Sequence, residues 1–258
     1  GGLSKIPYRI GLGYYQEDGV LKTSKLDRYS ATLNASPSLF NGKLKANVSG
    51  KLIRSDNVYA NQGAIGTAVF FDPTRPVLSG DTSSYGGYFE WLMPNGNPSV
   101  LSPRNPVGLL NLRDDLQRNN RFLGNILFDY QPFSSKDLHL FMNIGGEQSS
   151  TSGTVFIPAA AAMNFNNGGE NNQYNSARTN RLIELYGNYK DKISENITSD
   201  LTAGYSFQHW TSSSPSYPNL NASGDTISPA NPNPFFTENA LMSFYGRTNF
   251  NISNKYLV

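Results

Sequence analysis

"RFLGNILFDYQPFSSKDLHLFMNIGGEQ", residues 121–148, places apolar side chains at alternate positions on both sides of a short polar break. Phe122, Ile126, Phe128 and Tyr130 share one parity before "SSKD", and Leu138, Leu140, Met142 and Ile144 share one after it. The other parity carries Arg121, Asn125 and Asp129, then His139, Asn143 and Glu147. Successive side chains of a strand point to opposite faces, so this pattern is a pair of strands, each greasy on one side and wet on the other. The fold turns on what the greasy side touches: the core of a soluble sandwich, or lipid.

Composition narrows the choice less than it first promises. The chain has 258 residues, 38% of them apolar, with a mean hydropathy of -0.45. No run approaches the roughly 18 uninterrupted apolar residues of a membrane-spanning helix. A membrane β-barrel escapes that test, because only every second residue of each strand meets lipid. Cysteine is absent, which removes disulfides and thiolate metal sites. A net charge of +2 with dispersed lysines leaves no basic stripe, so no nucleic-acid partner is expected. The start, "GGLSKIPYRIGLG", lacks the parts of a signal peptide, which is the expectation for a processed chain or an internal piece. Aromatics at 12%, with Asn, Ser and Gly crowded between strands, suit a β-protein with long polar loops.

Extending the period of two along the chain gives eight strands, at 8–16, 28–36, 43–53, the two of the opening stretch, 181–190, 200–210 and 241–252. Each has about the 9 to 11 residues that cross a bilayer at a tilt. Their connections alternate in length. "LFNGK", with its Asn41-Gly42 hairpin signal, "SSKD" and "SENI" are short; residues 17–27, 54–120, 149–180 and 211–240 are long. Antiparallel strands send alternate connections to opposite ends, so one end has tight turns and the other large loops. Outer-membrane barrels have that asymmetry, and a Greek-key sandwich has no reason to keep it four times in succession. Tyr8, Tyr130, Tyr189 and Phe250 all have the greasy parity and lie near short turns, as a lipid-interface girdle would. The bland alternative is that they are ordinary sheet aromatics. Asymmetry and girdle together point the greasy face at outer-membrane lipid.

The residues also resemble a family. The run "YR.GLGY..EDG.LKTSK.DRY", the stretch "AIGTAVFFDPTRPV" with its later "YFEW" and "NPV", and "FYGRTNFNISNKYLV" resemble SusC/RagA-type TonB-dependent transporters of Bacteroidetes outer membranes. The blocks occur in order and cover essentially the whole chain. Such transporters have a plugged barrel of about 22 strands. The resemblance therefore implies that residues 1–258 are part of the barrel domain, an antiparallel transmembrane β-barrel segment in an all-β fold. The plug domain and the remaining barrel would lie outside it, with "GGLSK" and "KYLV" as cut hairpins. It further implies import of bulky oligosaccharides or oligopeptides, a SusD-like surface lipoprotein over the mouth, and energisation by the TonB-ExbB-ExbD complex through the plug.

Candidate cargo contacts come from the long loops and the wet face. Residues 54–120 form too long a connection to be a mere linker. There Tyr88, Phe89 and Trp91, with Tyr85, stand beside Arg104 and several asparagines; such faces and donors suit a sugar or peptide, or else they pack the loop or meet the lipoprotein. Tyr15, Glu184, Tyr186, Gln208, Trp210, Tyr245 and Arg247 share the wet parity as a polar-aromatic wall, which fills space against a plug or touches cargo. Tyr15 and Trp210 lie nearest the long-loop end and are the better substrate-binding candidates. His139 and His209 lack metal-ligand spacing, "NNGGENNQ" has too few carboxylates for calcium, and "GLGYYQ" has neither the third glycine nor the helix of a dinucleotide site. No nucleophile motif or paired acid and base stands out, so neither a catalytic residue, a metal nor a cofactor is expected. The rival readings are a secreted soluble β-sandwich that binds glycans, an enzyme on such a fold, or a surface adhesin barrel. A sandwich would bury Tyr8, Ile126, Leu140, Leu185 and Phe244; a lipid-facing sheet would leave them on the surface.

Overall fold

A computed structural model describes residues 2–3, 6–82, 84–134, 137–253 and 255–257. It contains β1 (Gly2–Leu3), β2 (Ile6–Asp18), β3 (Lys25–Ala35), β4 (Ser38–Leu39) and β5 (Leu44–Val58). After a long connection holding α1 (Gly63–Phe70) and α2 (Pro106–Asn111) come β6 (Asp114–Tyr130), β7 (Asp137–Ile157), β8 (Glu170–Ser194) and β9 (Ile197–Ser214). The chain continues through β10 (Asn219–Leu220), β11 (Thr226–Ser228), β12 (Phe235–Ile252) and β13 (Tyr256–Leu257). The eight long strands pair in the order β2-β3-β5-β6-β7-β8-β9-β12, each antiparallel to its neighbours, with β1 and β13 as short additions at the two edges.

All eight strands read from the sequence are present, but their upper ends were underestimated. Residues 149–157 belong to β7, 170–180 to β8, 211–214 to β9, 235–240 to β12, 25–27 to β3, 54–58 to β5 and 114–120 to β6. The long connections shrink to 19–24, 59–113, 158–169 and 215–234. At 25 residues, β8 far exceeds the length that crosses a bilayer. Much of this added length is polar on both faces, as in "SSTSGT" (149–154), so there the hydrophobic period stops while backbone pairing continues.

Register puts the alternation of all eight strands in phase. Tyr8, Ala35, Val48, Ile126, Ile144, Ile183, Phe207 and Met242 form one cross-strand row. The neighbouring rows on that face carry Phe128, Met142, Leu185, Tyr205 and Phe244, then Leu44, Tyr130 and Leu140. The apolar band drops toward the short-turn end from β2 to β12, reaching up to Tyr14 and Tyr29 on β2 and β3 but only to Ile183 and Phe207 on β8 and β9. A level belt crossing tilted strands has that staggered outline.

Among the described residues, no second layer covers this face. Leu12 is 85% exposed and Phe244 80%; Leu140 and Leu185 are exposed as well, and Tyr8 and Ile126 are half-buried. A sandwich would hold them in a core. Apart from Ala46 on β5, the buried apolar residues among those described sit at the other end, where Ala60, Ala64, Leu109, Val155, Ile157, Ala161 and Ala162 lie among or beside the long connections. Those connections are stitched side by side: Tyr85 meets Phe165 edge-on at 5.7 Å, and the Ala222 amide donates to the Gly168 carbonyl at 3.1 Å. Short turns close the opposite end. The first uses left-handed backbone at Phe40, Asn41 and Gly42, which is why Asn-Gly marks it, and the third is Glu195–Asn196. The second, "SSKD", falls partly outside the described residues.

Candidate functional site

Opposite the apolar band, the strands present a continuous polar face built from cross-strand ladders. Asn143 donates to Glu184 at 2.7 Å and accepts from Asn125; Gln208 donates to Asn180 at 3.1 Å. Arg121 pairs with Glu147 at 2.7 Å. Each pair joins adjacent strands, directly opposite for Asn143 and Glu184 and diagonally for the others, so the wall's hydrogen-bonding groups are tied to one another and held in fixed positions.

Two aromatic features interrupt the ladders. Near the short turns, His139, Phe141 and Tyr186 stack, with Phe141 and Tyr186 at 4.6 Å and 16°. Tyr245 continues the row across Gly204, where an added Cβ would lie 2.6 Å from both the Tyr186 Cβ and the Tyr245 ring. Glycine at 204 is therefore what lets the two tyrosines approach. His139 sits between Asp129, at 2.6 Å, and Asp137, at 3.2 Å. Toward the long-loop end, Trp210 borders a hollow of about 370 Å³ with Glu147, Arg178, Asn180 and Gln208. An indole face beside amides, a guanidinium and a carboxylate can stack on a flat or ring-shaped group and orient its polar substituents.

Tyr15 shares this face but not this hollow. Its hydroxyl donates to Glu17 at 2.8 Å and its ring lies 6.0 Å from the Arg28 guanidinium. Six strand spacings separate β2 from β9, about 29 Å along the sheet. The wall residues Glu184, Tyr186, Gln208, Tyr245 and Arg247 lie on the same face, in rows between Trp210 and the short turns.

The loop candidates lie elsewhere, engaged in packing. Phe89 and Trp91 form an edge-to-face cluster with Phe71, at 6.3 and 4.8 Å, and Arg75 lies 5.8 Å over Phe89. Tyr88 rests against Gly108 of α2 and accepts from Asn111 at 2.8 Å. Arg104 donates to the Ser99 carbonyl at 2.9 Å and stands 3.7 Å from Glu90. Burial pushes the Glu90 carboxyl above its ordinary range, against the opposing pull of the Asn105 amide and Arg104. Tyr8, Tyr130, Tyr189 and Phe250 occupy the apolar face, stepping down the short-turn edge of the band from β2 to β12. Sequence reasoning missed Arg178 and Asn180, hidden in a strand extension with no apolar period, and Phe141, an aromatic on the polar parity.

No family model matches the chain. TonB-dependent receptor SusC of Bacteroides thetaiotaomicron is 32% identical over 281 aligned positions, covering all of this chain and 27% of that protein. TonB-dependent receptor P26 of Formosa agariphila is 25% identical, covering all of this chain and 26% of that one. The chain thus spans about a quarter of the length of these curated relatives. Among solved structures, the RagAB peptide transporter aligns with 98% of the chain at a TM-score of 0.68 and 16% identity, over 29% of that structure's chain. The ferric-catecholate import receptor Fiu from E. coli K12 aligns with 96% at a TM-score of 0.50 and 10% identity, over 38% of its chain. At such identities the structures establish the fold alone, an antiparallel barrel segment. Along its whole length, therefore, this chain is similar to one segment of the TonB-dependent receptor SusC, and the solved structures add the antiparallel barrel fold.

Proposed function

We propose that the protein carrying this segment imports bulky nutrients, oligosaccharides or oligopeptides, across a bacterial outer membrane in a TonB-dependent way. The observation that carries the reading is the uncovered apolar face shared by eight strands, backed by a polar wall. Apolar outside and polar inside is the order a membrane barrel requires, and it leaves the wall facing the passage. Residues 1–258 act as part of the barrel domain, with the plug and the remaining strands supplied elsewhere in the protein. In support, β2 and β12 do not pair with each other among the described residues, and each has only a two-residue partner on its outer side. Lipid does not tolerate such rows of unpaired backbone groups, so further strands flank both.

The stitched long connections form the outer mouth, against which a SusD-like lipoprotein closes, and the TonB-ExbB-ExbD complex acts through the plug. Tyr15 and Trp210 contact cargo on the wall. Tyr88, Phe89, Trp91 and Arg104 shape the mouth from within their loop, and Tyr8, Tyr130, Tyr189 and Phe250 anchor the barrel at the lipid interface. The protein works by passage rather than catalysis. The test is uptake by whole cells that express the full-length protein with its neighbouring lipoprotein. Accumulation of an oligosaccharide or oligopeptide that stops on deletion of the gene and on collapse of the proton gradient supports the reading. Gradient-independent leakage, or no change on deletion, overturns it.

A further inference from the structure

The apolar face carries a hollow that passage of cargo does not use. Where β2, β3, β5 and β6 lie side by side, Leu12, Ala31, Leu52 and Phe122 form one row, and the alanine leaves a dip between two leucines. The dip opens into a groove of about 590 Å³. One row nearer the long loops, the groove is bordered by Tyr29, Arg54, Asn120 and Ser150, so its lining turns from apolar to polar within about 7 Å. Among the described residues, Asn120 and Gln148, which also lines it, make no side-chain hydrogen bond.

Charge at this rim is held in close pairs. Arg54 reaches Asp56 at 3.0 Å and Arg118 reaches the same carboxylate at 2.7 Å, so two guanidiniums share one acid. The adjacent Lys25 pairs with Asp27 at 3.1 Å and stands opposite Asp18 of β2. Both arginine side chains are about half exposed, with donors left over.

The geometry points to a specific site for an anionic acylated lipid of the leaflet on the long-loop side. One acyl chain lies over Ala31 between Leu12 and Leu52, and a phosphate sits at Arg54 and Arg118. Headgroup hydroxyls or amides meet Asn120 and Gln148. The order of polarity along the strands matches an amphiphile standing in a bilayer, and the two half-exposed guanidiniums, with donors to spare, match an anionic head. A free phosphate would leave the apolar floor unused, and a protein partner would not need the change of polarity at one depth.

This inference rests on the membrane reading above, so insertion is scored first, by flotation of the purified full-length protein with liposomes. Native mass spectrometry then counts lipids retained from monophosphorylated lipid A and from its dephosphorylated counterpart. The expected result is one retained lipid, with the phosphorylated form held about tenfold better. Arg54→Gln removes that preference, and Ala31→Leu fills the dip and lowers retention of both forms while heat-modifiable migration of the barrel stays as in the parent. A protein that does not float overturns the membrane reading and this site with it. A protein that floats but retains both lipids equally, retains them unchanged in Ala31→Leu, or yields its lipid to inorganic phosphate overturns the site alone.

Discussion

Asn105 is 1% exposed, and its side chain holds three separate parts of the longest connection together. Its Oδ1 accepts from the Val107 and Gly108 amides at 3.0 and 3.1 Å, capping α2, with Pro106 at the first helical position. Its Nδ2 donates to the carbonyls of Val77, at 2.9 Å, and Phe89, at 3.2 Å. Asn105→Ala loses the cap and leaves two carbonyls short of a donor, so opening of this loop should become easier by about 3 kcal/mol. Hydrogen exchange reads this directly: faster exchange over residues 76–112, with β6 to β9 unchanged. Beside it, the Glu90 side chain is 4% exposed, and its Oε2 has no hydrogen-bond partner among the described residues. Burial raises its pKa, so the folded loop binds a proton more tightly than the open one. Its contribution to loop stability is then greatest below about 4.5 and falls as pH rises through the folded value. The protection of this loop, taken relative to the intrinsic exchange rate at each pH, should fall between acidic and neutral pH, and Glu90→Gln, which keeps an acceptor for the Asn105 amide at 3.0 Å, should abolish that fall.

At the scale of a strand, what decides tolerance is which face a residue meets. Leu185 lies in the middle of the apolar band on β8, between Met142 and Tyr205, and is 45% exposed. Leu185→Arg should cost about 2 to 4 kcal/mol in unfolding from lipid vesicles, because the charge sits near the bilayer centre. The same substitution at Asn180, on the polar face of that strand, should stay within about 0.5 kcal/mol. Equal costs at the two positions would remove the sidedness on which the membrane reading stands. This sidedness was legible in the sequence, since Phe122, Ile126, Phe128 and Tyr130, then Leu138, Leu140, Met142 and Ile144, keep one parity despite Leu123, Leu127 and Phe141 on the other, and register only had to bring eight such strands into phase. The strand ends were not legible, because Ser149 to Thr154 and Asn171 to Ser176 carry no apolar residue on a fixed parity except Tyr174, whose hydroxyl donates to Asp115 at 3.2 Å. The loop aromatics were legible as residues but not as roles. Phe89 and Trp91 look alike to a reader of sequence whether they pack against Phe71 or await a ligand.

For the whole molecule, the two wall candidates differ from the loop candidates in how a substitution should propagate. Phe89 and Trp91 support a cluster, so Trp91→Ala should loosen the loop and weaken cargo binding only through it. Trp210 borders an open hollow and Tyr15 lies on an exposed strand, so either can be truncated with the sheet intact. If cargo stacks on Trp210, Trp210→Ala should lower affinity by roughly fivefold, about 1 kcal/mol, in calorimetry of the purified full-length protein with its copurified ligand. Tyr15→Ala then measures the length of that ligand. The two side chains stand six strand spacings apart, so they share no contacts and their effects on a long oligomer should add within about 0.5 kcal/mol. A short ligand cannot touch both, and only one of the two substitutions would weaken it. Additive losses at both sites therefore require a cargo that reaches from β2 to β9, and loss at Trp210 alone confines the cargo to the hollow beside Arg178. Loss at neither removes the wall from recognition and moves the search to the loop crown.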